Sequence, residues 1–266
     1  MKPKTNIVWL KRDLRLTDHA PLYEATCRDE QFLVLYIYEP SLMNDSHTDE
    51  RHWRFIQQSL SHIKKILAKL NKQLSIAYGE ADQIFSEIIN WYEITNVFSH
   101  EETGLKLTYE RDKKLKFFFN TKKIKWHEYQ TNAVIRGLNN RKTWEKQWDK
   151  VMRDEIKPIN LAQANIIFHP FPSSTIPKFG NDIHHQVGGC LSAQKEMHDF
   201  FEARGQDYFK FISKPDKSRT SCSRLSPYIA YGNLSMREVY QTLLKSWNKT
   251  GWRRSMAALS KASLAL

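Results

Sequence analysis

The chain has 266 residues, 41% of them hydrophobic and 26% charged, with a mean hydropathy of −0.61 and a formal net charge of +12. That suffices for one large domain or two ordinary ones, and no apolar run reaches the ~20 residues a bilayer crossing needs, so no membrane is expected. The start lacks the apolar stretch and cleavage site of a secretion signal, and Cys27, Cys190 and Cys222 form no CxxC pair; this argues against a disulfide framework and a zinc or iron–sulfur site and fits a reducing cytoplasm.

In chain order, Asn6–Leu10 (NIVWL) predicts a short strand. Asp18 is placed to cap a helix through Ala25, with Pro21 near its start. Phe32–Tyr38 (FLVLYIY) is an unbroken β-rich run, the pattern of a strand buried on both faces. Asp49 opens a helix to about Asn71, whose apolar positions Trp53, Ile56, Leu60, Ile63, Leu67 and Leu70 recur at steps of three and four. Leu74–Tyr78 predicts a strand, Glu80–Tyr92 a helix, Asn96–His100 a strand, Thr108–Asn120 a charged helix and Ile124–Tyr129 a last strand. This alternation predicts an α/β domain over residues 1–135, with a doubly wound, five-stranded parallel sheet. Residues 136–189 carry Pro158, Pro170, Pro172 and Pro177, and predict a connector wrapping the surface, with a short helix at Thr143–Asp154. Beyond Gly188-Gly189, helices are expected at Ala193–Ala203, Ser226–Tyr231 and Met236–Trp247, the beginning of an all-α domain over residues 190–266.

Residues 201–266 carry 12 Lys and Arg against 4 Asp and Glu. Such a balance suits a polyanion such as nucleic acid, but charge alone favours a solvated basic surface. GxSxG, HExxH, P-loop and GxGxxG patterns are absent from the sequence. The turn after the first strand, Lys11-Arg12-Asp13-Leu14-Arg15, has no glycine to let a pyrophosphate approach the backbone, as an NAD-binding fold requires. It reads as an ion-pair knot in preference to a ligand site. In Ser221-Cys222-Ser223-Arg224-Leu225-Ser226-Pro227, Ser226 is placed as an N-cap with Pro227 at the first helical position. Gly232 is placed to end that helix, and Ser235 and Glu238 form a capping box for the next. Hydroxyls beside a helix start can cradle a diphosphate; two capped helices with nothing bound account for the same residues.

Two segments carry a resemblance. Val8-Trp9-Leu10-Lys11-Arg12-Asp13-Leu14-Arg15-Leu16-Thr17-Asp18 resembles the opening of the photolyase and cryptochrome family, W-F-R-x-D-L-R-x-x-D-N, with Leu10 for phenylalanine and His19 for asparagine. Cys222–Arg237 (CSRLSPYIAYGNLSMR) resembles that family's flavin-domain motif, T-S-x-L-S-P-Y-L-x-x-G-x-L-S-x-R. The resemblance implies a photolyase-type α/β (antenna) domain followed by the start of a helical FAD-binding domain. It implies that Cys222, Ser223, Arg224, Leu225 and Ser226 hold the FAD phosphates, with Cys222 standing where the family has threonine, and that Tyr208 touches the flavin, at a spacing about two residues longer than usual. It further implies an antenna chromophore of folate or deazaflavin type. His100-Glu101-Glu102-Thr103-Gly104 lies where antenna contacts are often found, and reads as a helix-entry loop in preference to a ligand site.

The activity implied is that of a deoxyribodipyrimidine photolyase, a lyase that uses FAD and blue light to split cyclobutane pyrimidine dimers in DNA. A cryptochrome-type photoreceptor without repair shares the same motifs. The family pattern runs to Ser260 and stops before Lys261-Ala262-Ser263-Leu264-Ala265-Leu266. The expectation is therefore a truncated, monomeric chain without repair activity, or a non-enzymatic remnant. No catalytic residue and no metal ligand is assigned from the sequence.

Overall fold

The computed structural model describes residues 1–172 and 176–250. Five parallel strands, β1 (Lys4–Leu10), β2 (Phe32–Tyr38), β3 (Ser75–Tyr78), β4 (Glu93–His100) and β5 (Lys125–Tyr129), lie in the order β3-β2-β1-β4-β5. The doubly wound five-stranded sheet is therefore as expected. A two-residue sixth strand, β6 (Ile166–Ile167), pairs with Phe32 and Leu33, while β3 covers Leu35–Tyr38 on the same side of β2. The expected surface connector thus completes the sheet edge instead of merely wrapping it.

All seven residues of β2 are buried. Period-two alternation divides the strands between two layers. Val8, Leu10, Val34, Tyr36, Tyr38 and Ile76 meet α1 (Ala20–Thr26) and α3 (Glu50–Ala68) through Leu22, Trp53, Ile56, Leu60, Ile63 and Leu67. Ile7, Trp9, Leu33, Leu35, Ile37 and Val97 meet α4 (Ala81–Trp91) and α5 (Lys106–Thr121) through Ile84, Phe85, Ile88, Leu115 and Phe119. A short helix, α2 (Pro40–Met43), follows β2 directly.

Several boundaries differ from expectation, and two of them have a clear local cause. The N-cap of α1 is His19, whose Nδ1 accepts from Leu22 N at 3.1 Å. Asp18 cannot serve because it sits at φ 45°, with its carbonyl receiving Arg15 and its carboxylate facing Arg237. Helix α3 ends at Ala68, short of Asn71, because Asn71 turns left-handed at φ 55° and Lys72 N closes back onto Leu67 O. Its start is as expected, with Asp49 capping and His52 returning the bond.

After α6 (Trp144–Arg153) and β6 the chain becomes helical: α7 (Cys190–Glu202), a 3₁₀ turn (Arg204–Asp207), α8 (Tyr208–Phe211), α9 (Pro215–Ser221), α10 (Ser226–Ala230) and α11 (Met236–Thr250). α8 and α9 have too few apolar positions to show a helical period, and their sequence predicts nothing. Phe55 of α3 joins Met197, Phe200, Leu225, Tyr228 and Leu243 in a third core. Polar bonds fasten this segment to the sheet. Leu14 N donates to Tyr231 O at 3.0 Å, and Asn233 donates to Leu14 O at 3.0 Å. Asn233 Oδ1 accepts from Ser59 and from Gly189 N at 3.2 and 3.1 Å. Gly232, at φ 68°, lies so close to the Arg12 and Asp13 backbone that any Cβ would collide with it. No helix among the described residues is long and apolar enough to cross a membrane. Residues 251–266, where the family pattern stops, lie outside the described residues.

Candidate functional site

The flavin-type loop leaves α9 at Ser221, which is buried and bonds back to Lys217 O. Cys222 is extended, and Arg224 takes the left-handed conformation at φ 58°. Gln186 holds the Arg224 carbonyl at 2.9 Å, and Arg204 bonds the Cys222 carbonyl while paired to Glu196 and Asp199. The loop is therefore set by α7 and by the connector. Leu225 drops into the third core, which turns its side chain away from solvent.

Ser226 does not cap α10. The helix begins at Ser226 itself, preceded by Leu225 in a right-handed conformation without any side-chain cap bond. Burial of Leu225 fixes the backbone there, so Ser226 falls one residue too late to accept from the helix start. Ser223 comes nearest to the role, its hydroxyl accepting from Leu225 N at 3.4 Å. The next box is as expected: Glu238 N donates to Ser235 Oγ and Ser235 N to Glu238 Oε2, both at 3.0 Å. Tyr208 is half-buried, edge-on to Phe200; burial and the neighbouring Cys222 thiol push its phenol up. The structure thus brings Tyr208 beside the Cys222 end of the loop. Arg224 is half-buried without a carboxylate partner among the described residues. A guanidinium, a serine hydroxyl and backbone amides form a donor set that suits a diphosphate.

The strand order reverses between β1 and β4, and in such sheets ligands bind beyond the carboxyl ends of the strands at that point. Lys11, Asp13 and Arg15 are buried there and all partnered, which bears out the ion-pair knot. Lys11 pairs with Asp112 at 3.0 Å. Arg15 donates to Asp18 O and Gly232 O at 2.9 and 3.2 Å. Asp13 accepts from Lys11 N and from His100 Nδ1, both at 2.6 Å, with His19 Nε2 at 3.0 Å. Burial pushes the Asp13 carboxyl up, but the two imidazoles outweigh it and hold it well below its ordinary value. Burial takes His100 down to about 4, against the pull of Asp13.

Asp13, His19 and His100 also place three ligand-type atoms within 4.8 Å of one another. A metal would need the lone pair of His19 Nε2. His19 Nδ1 already accepts from Leu22 N, so in the neutral ring Nε2 carries the proton. With the cap of α1 in place, Nε2 of the neutral ring offers no lone pair to a metal and lies against Asp13 as a close polar contact at 3.0 Å.

Beside the knot, at the ends of β1 and β2, lies a cavity of about 170 Å³ walled by Trp9, Tyr36, Trp53 and Tyr231, with Arg12 and Glu39 at its polar edge. Leu105 reaches it, whereas Glu102 folds back to accept from Thr103 N and Gly104 N at 3.1 and 2.9 Å. Most of the His100–Gly104 segment thus behaves as a helix-entry loop. Glu39 and its partners went unnoticed in the sequence. The sole signal was an acid placed directly after a fully buried strand.

A doubly wound parallel sheet followed by a helical segment defines the α/β architecture of this chain. The family model for DNA photolyase matches residues 6–172, and the chain belongs to that family. It is 26% identical over 266 residues to a cryptochrome DASH of Synechocystis sp., a match covering 90% of this chain and 54% of the relative. It is 23% identical to a deoxyribodipyrimidine photo-lyase of Vibrio cholerae, covering 87% and 53%. The crystal structure of a Synechocystis cryptochrome superposes with a TM-score of 0.74 at 22% identity, covering 94% of this chain and 57% of that one. An archaeal photolyase from Sulfolobus tokodaii, solved with two FAD molecules, gives 0.70 at 21%, covering 94% and 56%. The chain spans about half the length of the relatives it matches.

Proposed function

We propose that this chain is the α/β and first helical part of an FAD-dependent, light-driven lyase that splits cyclobutane pyrimidine dimers in DNA. The observation that carries the reading is the 222–226 loop. Its half-buried Arg224 has no carboxylate partner among the described residues, and Tyr208 lies near Cys222 at the start of the loop. FAD, when bound, supplies the light-excited electron that opens the dimer and accepts it back. Ser223, Arg224 and the backbone amides of Ser223–Ser226 would hold the diphosphate, while Cys222, whose N–H is bonded to Ser218 O and whose carbonyl is bonded by Arg204, would only shape the loop. Tyr208 would pack against the bound group. The Leu225 side chain would act through the core, fixing the loop.

We assign residues 1–135 to the antenna domain, 136–189 to the connector and 190–266 to the helical FAD-binding part, in a monomeric cytoplasmic protein. The aromatic cavity near Trp53 and Tyr231 is the place in this chain for an antenna chromophore of folate or deazaflavin type. A cryptochrome-type photoreceptor is the second reading, favoured by the DASH cryptochromes among the relatives.

The test is to titrate the purified chain with FAD and then illuminate it with dimer-containing DNA. FAD fluorescence should be quenched on binding, and Arg224→Ala should weaken binding about tenfold, as loss of one charge-assisted contact does. Light-dependent loss of dimers would establish repair. Bound FAD without dimer loss would support the loop as the FAD site and give no support to repair by this chain. Affinity unchanged in Arg224→Ala would remove the loop from the site.

A further inference from the structure

Glu39 stands at the edge of the aromatic cavity with its side chain 3% exposed. Its Oε1 accepts from Arg111, and its Oε2 has no hydrogen-bond partner among the described residues. Arg111 also faces Asp112 at 2.7 Å and Glu102 at 3.7 Å, and Lys11 pairs with the other oxygen of Asp112 at 3.0 Å. This buried network thus contains three carboxylates, Glu39, Glu102 and Asp112, against two cations. Arg12 lies beside Glu102 as a third cation, and Glu39 is the member with an uncommitted oxygen. A charged carboxylate oxygen left without a partner at such depth is costly, so Glu39 should hold a proton when nothing else neutralises it.

Other groups facing Glu39 do not bond its Oε2. Glu80, on the α4 side, adds repulsion and is itself bonded to Ser41. Tyr36 and Tyr38 from β2 are held neutral by burial. Arg12, His47 and His52 line the cavity, and burial and Arg51 lower the pKa of His52. Burial takes the Glu39 carboxyl up to about 7, against the pull of Arg111. Because Oε1 is engaged by Arg111, the proton resides on Oε2.

We propose that occupancy of this cavity is coupled to that proton: a flat nitrogen heteroaromatic stacked among Trp53, Tyr36 and Tyr231 donates an N–H to Glu39 Oε2 and displaces the proton to solvent. One bond is exchanged for another. The O–H of the neutral acid is lost to water, and an N–H···O⁻ bond to the carboxylate replaces it. The inference rests on the reading of the cavity as a chromophore site and adds to it the residue and the linkage that govern loading. Ligand should therefore bind more tightly at alkaline pH. Below pH 7 the free cavity holds the proton that binding must expel, and above it the carboxylate is ready.

The experiment uses lumichrome, a small flavin analogue with a lactam N–H, and its N3-methyl derivative as probes, followed by quenching of tryptophan emission in the full 266-residue chain. Lumichrome should bind about tenfold more weakly at pH 6 than at pH 8. Near pH 6, in weak buffer with an indicator dye, about one proton should be released per ligand bound. Glu39→Gln should abolish both effects, and the methylated probe should bind weakly at every pH. The proton count needs only the parent chain, so a misfolded variant does not remove the test. Binding without proton release and with a flat pH profile would overturn the coupling while leaving the chromophore reading intact. No binding of either probe between pH 6 and pH 8 would overturn both.

Discussion

Gly232 shows how one residue can join two parts of a chain. It ends α10 at φ 68°, and its missing side chain lets the Arg12–Asp13 backbone pass against it. Gly232→Ala would meet both a left-handed backbone and a backbone collision, so a loss of at least about 2 kcal/mol is expected by urea denaturation. A change within 0.5 kcal/mol would mean that the contact yields easily. Glu39 acts through charge instead. Its folded value of about 7 exceeds the ordinary 4.5, so the stability tied to its proton is full below 4.5 and is lost as pH rises through 7. Glu39→Gln should therefore gain on its parent by about 3 kcal/mol between pH 4 and pH 8, an upper figure for so buried a group. Equal stability differences at the two pH values would place the Glu39 proton elsewhere.

At the scale of elements, two serines that look alike in sequence behave differently. Ser235 makes the reciprocal bonds of a capping box with Glu238, and Ser235→Ala should cost about 1 kcal/mol. Ser226, exposed and inside its helix, makes no cap bond, and Ser226→Ala should fall within about 0.5 kcal/mol of the parent. Thermal unfolding of the pair checks both; equal losses would contradict the assignment of the caps. The same contrast appears at α1. The cap belongs to His19 and not to Asp18, because Asp18 is drawn into the Arg15 and Arg237 contacts that dock the helical segment. Caps and periods read from neighbours in sequence hold where the helix stands alone, and fail where a distant contact has already claimed the backbone.

At the scale of the whole molecule, the positive charge of residues 201–266 is expected to make binding to DNA electrostatic. Anisotropy titration with a duplex should show affinity falling by an order of magnitude or more between about 50 and 200 mM salt, equally for unrelated sequences. Salt-independent affinity would exclude phosphate contacts as its source. The sequence by itself determined the parallel sheet, because strand and helix periods and the unbroken run of Phe32–Tyr38 depend on residues adjacent in the chain. It also determined the flavin-type loop as a motif, and the capping box of Ser235 and Glu238. Only the tertiary structure decided that Asn233 ties Leu14, Ser59 and Gly189 together, and that Ile166–Ile167 completes the sheet edge. It alone placed Glu39, Glu102, Arg111 and Asp112 in one buried network beside an aromatic cavity. Those groups come from the end of β2, the loop after β4 and helix α5. Burial, which sets their charge, is a property of the packed chain and leaves no period in the sequence to read.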